Sequence, residues 1–180
     1  MTALLEIRQV NRLFTRKLDL AAKILNLFGA RYKVQTVHAV DGVDLSIQPG
    51  EVLALVGESG CGKSTLGRIV AGILPPSSGS IAFHGREVAG LSGPDRMAWV
   101  RGVQMVFQDP MTSLNPRKSI YQIISEAPIY HNLVSRDEAP DMVARLLSNV
   151  GLDPNFAVRM PHELSGGQRQ RVAIAQALAV

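Results

Sequence analysis

Apolar residues recur along this chain at three different spacings, and each spacing predicts a different element. Residues 4–10 alternate weakly between apolar and polar, and Val43, Leu45 and Ile47 alternate cleanly before Pro49-Gly50 makes a turn. Both stretches read as strands with one buried face. EVLALV, 51–56, is instead a continuous apolar run, the pattern of a strand buried on both faces, and VQMVF, 103–107, is a second candidate of that kind. From Lys63 the spacing turns helical, with Leu66, Ile69, Val70 and Ile73 on one face. PPSSG, 75–79, reads as a loop and SIAFHG as a strand entering a turn. A helical region covers roughly 119–150, where Met142, Val143, Leu146, Leu147 and Val150 share a face, and Ser165 is placed to N-cap a last helix. The segment KLDLAAKILNLFGARYK, 17–33, predicts a basic amphipathic helix packed on its own domain, with a membrane-surface role as the other reading.

Composition narrows the classes. The 180 residues suit one domain, or a core with an appended subdomain, and 46% hydrophobic residues suffice for a packed interior. The single cysteine, Cys61, has no internal disulfide partner, which points to a reducing compartment. MTALLEIRQV lacks the apolar core of a secretory signal, and no apolar run approaches the ~20 residues that span a bilayer. The net charge of +4 and pI of 9.6 raise the question of nucleic acid. The basic residues are scattered, however, and only 5% of residues are aromatic, so the expectation is no nucleic-acid partner.

Where the EVLALV strand meets the helix, Gly57, Gly62, Lys63 and Ser64 satisfy G-x-x-x-x-G-K-[ST]. Glycines let the backbone adopt positive φ and bring its N–H groups around an anion. The helix start adds about half a positive charge. In this reading Gly57, Glu58, Ser59, Gly60, Cys61 and Gly62 form the cradle and Lys63 reaches the β- and γ-phosphates. The Ser64 hydroxyl takes Mg²⁺ and Thr65 adds a phosphate contact. About a hundred residues later, LSGGQRQRVAIAQALA opens another helix, with Ser165, Gly166 and Gly167 offering a hydroxyl and bare N–H groups. Two phosphate-binding helix ends in one chain suggest a nucleotide held between two chains.

These motifs resemble the ATP-binding subunits of ABC transporters. LSGGQ, Leu164–Gln168, is similar to the ABC signature, GESGCGKST, Gly57–Thr65, to the Walker A loop, and MVFQDP, 105–110, to the Q-loop. The resemblance implies that Gln108 approaches Mg²⁺ and the attacking water, and that an aromatic ahead of the Walker A strand stacks on adenine. Phe14 matches that register best and Tyr32 is the alternative. QDPMTSLNPRKSI, VHAVDGVDLSI and ALVGESGCGKSTLGR resemble the oligopeptide/dipeptide importer ATPases, whose relatives carry nickel. Gln176 departs from that pattern, standing where arginine is usual.

The implied fold is α/β: a P-loop core, an antiparallel β subdomain and a helical subdomain. Residues 4–110 would form the β subdomain and P-loop core, 111–165 the helical subdomain and 164–180 the signature helix. The implied cofactors are ATP and Mg²⁺. The implied partners are transmembrane permease subunits, a second ATPase subunit (most simply a different chain, giving a heterodimer) and, indirectly, a periplasmic peptide-binding protein. The implied location is peripheral, on the cytoplasmic face of a bacterial inner membrane. In the family a Walker B strand, a D-loop and a switch histidine follow the signature, yet His38, His84, His131 and His162 all precede it. The expectation is a family member cut short after the signature, with a core sheet incomplete at its C-terminal side and no ATP hydrolysis on its own. A non-hydrolysing nucleotide-binding relic or regulatory module is the alternative function. DNA-repair ABC ATPases, a third class, interpose coiled coils or zinc modules between the two motifs, and neither heptads nor cysteine pairs stand there.

Overall fold

The structure, a computed structural model, describes residues 3–16, 35–108 and 114–180. The predicted helix at 17–33, the alternative aromatic Tyr32 and residues 109–113 of the loop after Gln108 lie outside the described residues. The chain divides into two compact units, one up to Val103 and one from Gln104 to Val180.

The first unit is built on an antiparallel sheet. β1 (Leu5–Arg16) pairs with β2 (Gln35–Ile47) on one edge and β3 (Ser78–Phe83) on the other, and the short β4 (Arg86–Glu87) pairs with β3, giving the order β2-β1-β3-β4. Leu5 and Ile7 of β1 alternate into the core, Val10 reaches it beyond a register shift in the β1–β2 pairing, and Val40 of β2 and Ile81 of β3 join them. Onto them pack Leu66 and Ile69 of α1 (Lys63–Val70) and Trp99 of α2 (Gly93–Gly102).

Helix α1 stops at Val70, short of the predicted Ile73. Gly72 takes φ +71°, and the Ile73 N–H donates to the Arg68 carbonyl, a left-handed helix stop that turns the chain away. A side chain on Gly72 would lie 2.4 Å from the Trp99 ring, so close helix packing as well as conformation calls for glycine here. Ile73 is therefore exposed rather than on the buried face.

Two sequence expectations are corrected. Neither 51–56 nor 103–107 forms a strand. A continuous apolar run becomes a buried strand only when neighbouring strands satisfy its backbone on both edges, and among the described residues none pairs with either segment. Val52 and Val56 are accordingly 96% and 93% exposed.

The second unit is helical. α3 (Ile120–Tyr130) and α4 (Ala139–Asn149) divide the predicted helical region, and α5 (Gly166–Ala177) follows. Helical spacing places Ile120, Ile123 and Ile124 of α3, Val143 and Leu147 of α4 and Val172 of α5 in one core, closed by Leu114, Leu152 and Leu164. Among the described residues no helix is long and apolar enough to cross a membrane.

Candidate functional site

Two helix starts in this protein are built in opposite ways. The N-cap of α1 is Gly62, at φ +100°, and no side chain caps it. The first helical hydrogen bond is Leu66 N–H to the Gly62 carbonyl, 2.9 Å, which leaves the N–H groups of Lys63, Ser64 and Thr65 unspent by the helix. Before it, a turn closes with Cys61 N–H to the Glu58 carbonyl, 3.3 Å, and Gly60 adopts φ +86°. Glu58, Ser59, Gly60 and Cys61 are exposed, as is Ser64, whereas Lys63 and Thr65 are half-buried.

The Lys63 ammonium lies within this loop. Its Nζ donates to the carbonyls of Gly57 (2.8 Å) and Glu58 (2.7 Å) and touches Cys61 Sγ at 3.4 Å. An ammonium has three donors, and sulfur is the weakest acceptor of these three. A phosphate oxygen would replace the Sγ contact at little cost while the two carbonyls hold the lysine in place. The ammonium, the unspent N–H groups and the helix dipole together form a cradle whose charge and donors suit an anion.

The cradle is fastened to the sheet by one close contact. Between the pairs Arg12–Val40 and Leu13–His38 the β1–β2 register shifts, leaving Ala39 as an extra residue. A Cβ placed on Gly62 would lie 2.1 Å from the Ala39 carbonyl oxygen. The helix start thus seats directly on the bulge. Two residues before Ala39, Val37 pairs with Phe14. At about 3.4 Å per residue, the Phe14 register position lies only some 7 Å along β2 from the helix start. Phe14 is 41% exposed and its ring faces the guanidinium of Arg12, 4.8 Å from the centroid. The fold therefore brings the loop Gly57–Thr65 and Phe14 into one neighbourhood.

The start of α5 is capped from within. Ser165 Oγ accepts the Gln168 N–H (3.3 Å) and Gln168 Oε1 accepts the Ser165 N–H (2.9 Å), a reciprocal capping box. The hydroxyl accepts in this box, so its own proton is left to donate elsewhere. Gly166 and Gly167 are exposed, have ordinary φ, and a side chain on either would meet nothing within 4 Å. Among the described residues, neither conformation nor packing accounts for glycine at these two positions. Arg171, one turn further, donates to the carbonyls of Val150 (3.3 Å) and Gly151 (3.0 Å), tying α5 to the end of α4.

Gln108 is exposed and belongs to the second unit, as do Ser165, Gly166, Gly167 and Gln168. Gln176 is half-buried beside Gln104–Phe107. The donor set fits a metal held largely by a nucleotide. The described residues contain no cluster of three His, Cys, Asp or Glu able to hold an ion, while the Ser64 hydroxyl is exposed beside the cradle. Mg²⁺ commonly uses one or two protein oxygens plus phosphates and water. The strand pattern carries no sign of the Ala39 bulge or of its contact with Gly62, and in the sequence Arg12 reads as one of many scattered basic residues.

Comparison with known proteins gives a consistent picture. A family model described as ABC transporter matches residues 40–180. The oligopeptide transport ATP-binding protein AppF of Bacillus subtilis is 46% identical over 178 residues, covering 98% of this chain and 51% of its own length. The oligopeptide transport ATP-binding protein OppF of Escherichia coli is 49% identical over 147 residues, covering 80% of this chain and 43% of its own. The chain thus spans about half the length of these relatives. Among solved structures, a dimeric, post-hydrolysis ATP-binding cassette, MJ0796 bound to ADP and Pi, superposes with a TM-score of 0.74 at 27% identity, covering 97% of this chain and 69% of that one. CbiO1 of Clostridium perfringens, part of the transporter complex cbiONQ, gives 0.71 at 30% identity, with 99% and 62% covered.

Proposed function

The chain belongs to the ABC transporter family, and on that premise we propose that it is an ATP-binding subunit that energises peptide import across a bacterial inner membrane. Gly57–Thr65 holds the phosphates, with Lys63 on the β- and γ-phosphates and Ser64 on Mg²⁺. Phe14 stacks on the adenine. Ser165, Gly166, Gly167 and Gln168 form the second half of a site that is completed on another cassette. Gln108 bears on the metal and the attacking water and links the site to a permease subunit.

The observation that carries this reading is the pair Gly166 and Gly167. Glycine in place of alanine costs a helix up to about 1 kcal/mol per residue, less in the first turn, and here nothing among the described residues offsets that cost. Bare N–H groups beside an unspent hydroxyl suit an anion presented by a second molecule. MJ0796, whose dimeric structure holds ADP and Pi, provides a related case of a paired cassette. Peptide as cargo rests on AppF and OppF, whose names describe oligopeptide transport. A second, non-identical ATPase chain, a periplasmic binding protein and a peripheral cytoplasmic position complete the proposal.

The test is direct titration of the protein with MgATP. Lys63→Ala removes a charge-assisted contact of roughly 1.5–3 kcal/mol and is expected to weaken binding about tenfold or more. Unchanged affinity would overturn the phosphate-loop assignment. In vesicles carrying the permease, labelled-peptide uptake that depends on ATP and is lost with Lys63→Ala is the expected outcome for the importer role.

A further inference from the structure

Arg12 lies two residues before Phe14 on β1, and its surroundings fix it more firmly than an exposed strand residue requires. Its Nη1 donates to the Pro75 carbonyl at 2.8 Å, and its guanidinium lies over the Phe14 ring, 4.8 Å from the centroid. The backbone on both sides is tied to the same loop: Ser77 N–H donates to the Asn11 carbonyl (2.8 Å), and Leu13 N–H donates to Ser77 Oγ (3.0 Å). The Arg12 Nε is buried without a hydrogen-bond partner, so part of the charge is desolvated for the sake of this placement.

We propose that Arg12 is a positioning residue for nucleotide binding: anchored on the Pro75 carbonyl, it covers one face of the Phe14 ring and so holds the other face ready for a purine base. The inference rests on the reading of Phe14 as the base platform. An aromatic side chain that is 41% exposed and packed on neither face would sample several orientations, and each binding event would have to freeze one of them. A guanidinium on one face restricts that motion and leaves a single face open. Arg12 itself need not touch the nucleotide. Its effect must therefore appear in the affinity for the base and not in the affinity for the phosphates.

The experiment compares MgATP with magnesium tripolyphosphate, which carries the phosphates without a base, by calorimetric titration of the full chain. The variants are Arg12→Met, which keeps the alkyl stem, Arg12→Lys, which keeps a cation, Phe14→Ala, and the double variant Arg12→Met with Phe14→Ala. A cation–π contact at a partly exposed site predicts that Arg12→Met weakens MgATP binding about two- to fivefold. Tripolyphosphate binding should stay unchanged, Arg12→Lys should recover part of the loss, and the double variant should be no weaker than Phe14→Ala. Equal losses for both ligands would make Arg12 a residue of the fold alone and overturn the proposal. So would a selective loss that adds fully to that of Phe14→Ala, which would place Arg12 on the nucleotide itself. No change in Arg12→Met alongside a selective loss in Phe14→Ala would refute Arg12 and leave the Phe14 platform standing. MgATP binding unaltered in Phe14→Ala would instead remove the platform, and the role of Arg12 with it.

Discussion

Replacing Gly62 by alanine tests how the phosphate loop is attached to the sheet, and Gly60→Ala supplies its control. Both glycines have positive φ, +86° at Gly60 and +100° at Gly62, so alanine at either suffers a conformational cost of about 1–2 kcal/mol. They differ in surroundings. A Cβ at Gly60 meets nothing within 4 Å, whereas at Gly62 it would stand 2.1 Å from the Ala39 carbonyl oxygen. That oxygen belongs to the backbone and cannot swing aside like a side-chain tip. The strand or the helix must move by about an ångström, and forced overpacking of that kind costs about 1–3 kcal/mol. Moving the helix would also lift Leu66 and Ile69 from the core. Gly62→Ala is thus expected to destabilise the first unit by about 2–5 kcal/mol and Gly60→Ala by about 1–2. Trp99 is the only tryptophan and is 5% exposed in that unit, so its fluorescence during urea unfolding reports on this unit. Losses equal within about 0.5 kcal/mol would show that the Ala39 contact does not secure the helix start.

The start of α5 should respond with the opposite sign: Gly166→Ala or Gly167→Ala is expected to raise thermal stability slightly, by up to about 1 kcal/mol, while weakening ATP-dependent pairing with a second cassette in sedimentation. Ser165→Ala breaks the capping box and should cost about 1 kcal/mol in melting experiments, whereas Ser165→Asp keeps a capping side chain but puts a negative charge toward the phosphate, so stability should survive while pairing is lost. Glu138 has its pKa lowered, first by the Ser135 hydroxyl (2.6 Å) and then by the Ser135 N–H (3.1 Å), so its stabilisation is present above the unfolded-state value and is lost as pH falls through the folded-state value. Carboxyl NMR titration should find that pKa rising toward the ordinary value in Ser135→Ala.

What the sequence made legible was mostly local. Ser165 as a cap, the strands around Val43–Ile47 and Ser80–Phe83, and the helix from Lys63 each depend on neighbours within a few residues, and each is present. The end of α1 escaped because Ile73 keeps helical spacing while Gly72, one residue earlier, turns the chain. The runs 51–56 and 103–107 escaped for a different reason. Their apolar pattern describes an environment rather than a conformation, and that environment needs flanking strands that the described residues do not provide. At the candidate site, motif spacing located both helix starts. The bulge at Ala39 and the cation over Phe14 arise from pairing between distant segments, which no single window of sequence contains.

The glycines of the two helix starts separate what the chain does for itself from what it offers to another molecule. At Gly62 the absent side chain is explained from within, since a backbone oxygen fills its place and the conformation disfavours L side chains. Any sequence that kept this bulge and this helix would need glycine there, with or without a ligand. At Gly166 and Gly167 the backbone is ordinary and, among the described residues, the space is open, so helix propensity there would favour alanine. The same residue type therefore carries different information at the two ends. Under the proposed function, Gly62 shows how a phosphate loop would be held to its own sheet, while Gly166 and Gly167 would belong to a surface completed from outside. A two-chain nucleotide site needs both kinds: one cradle made rigid by its own unit, and one helix end kept bare so that a phosphate bound elsewhere can approach it.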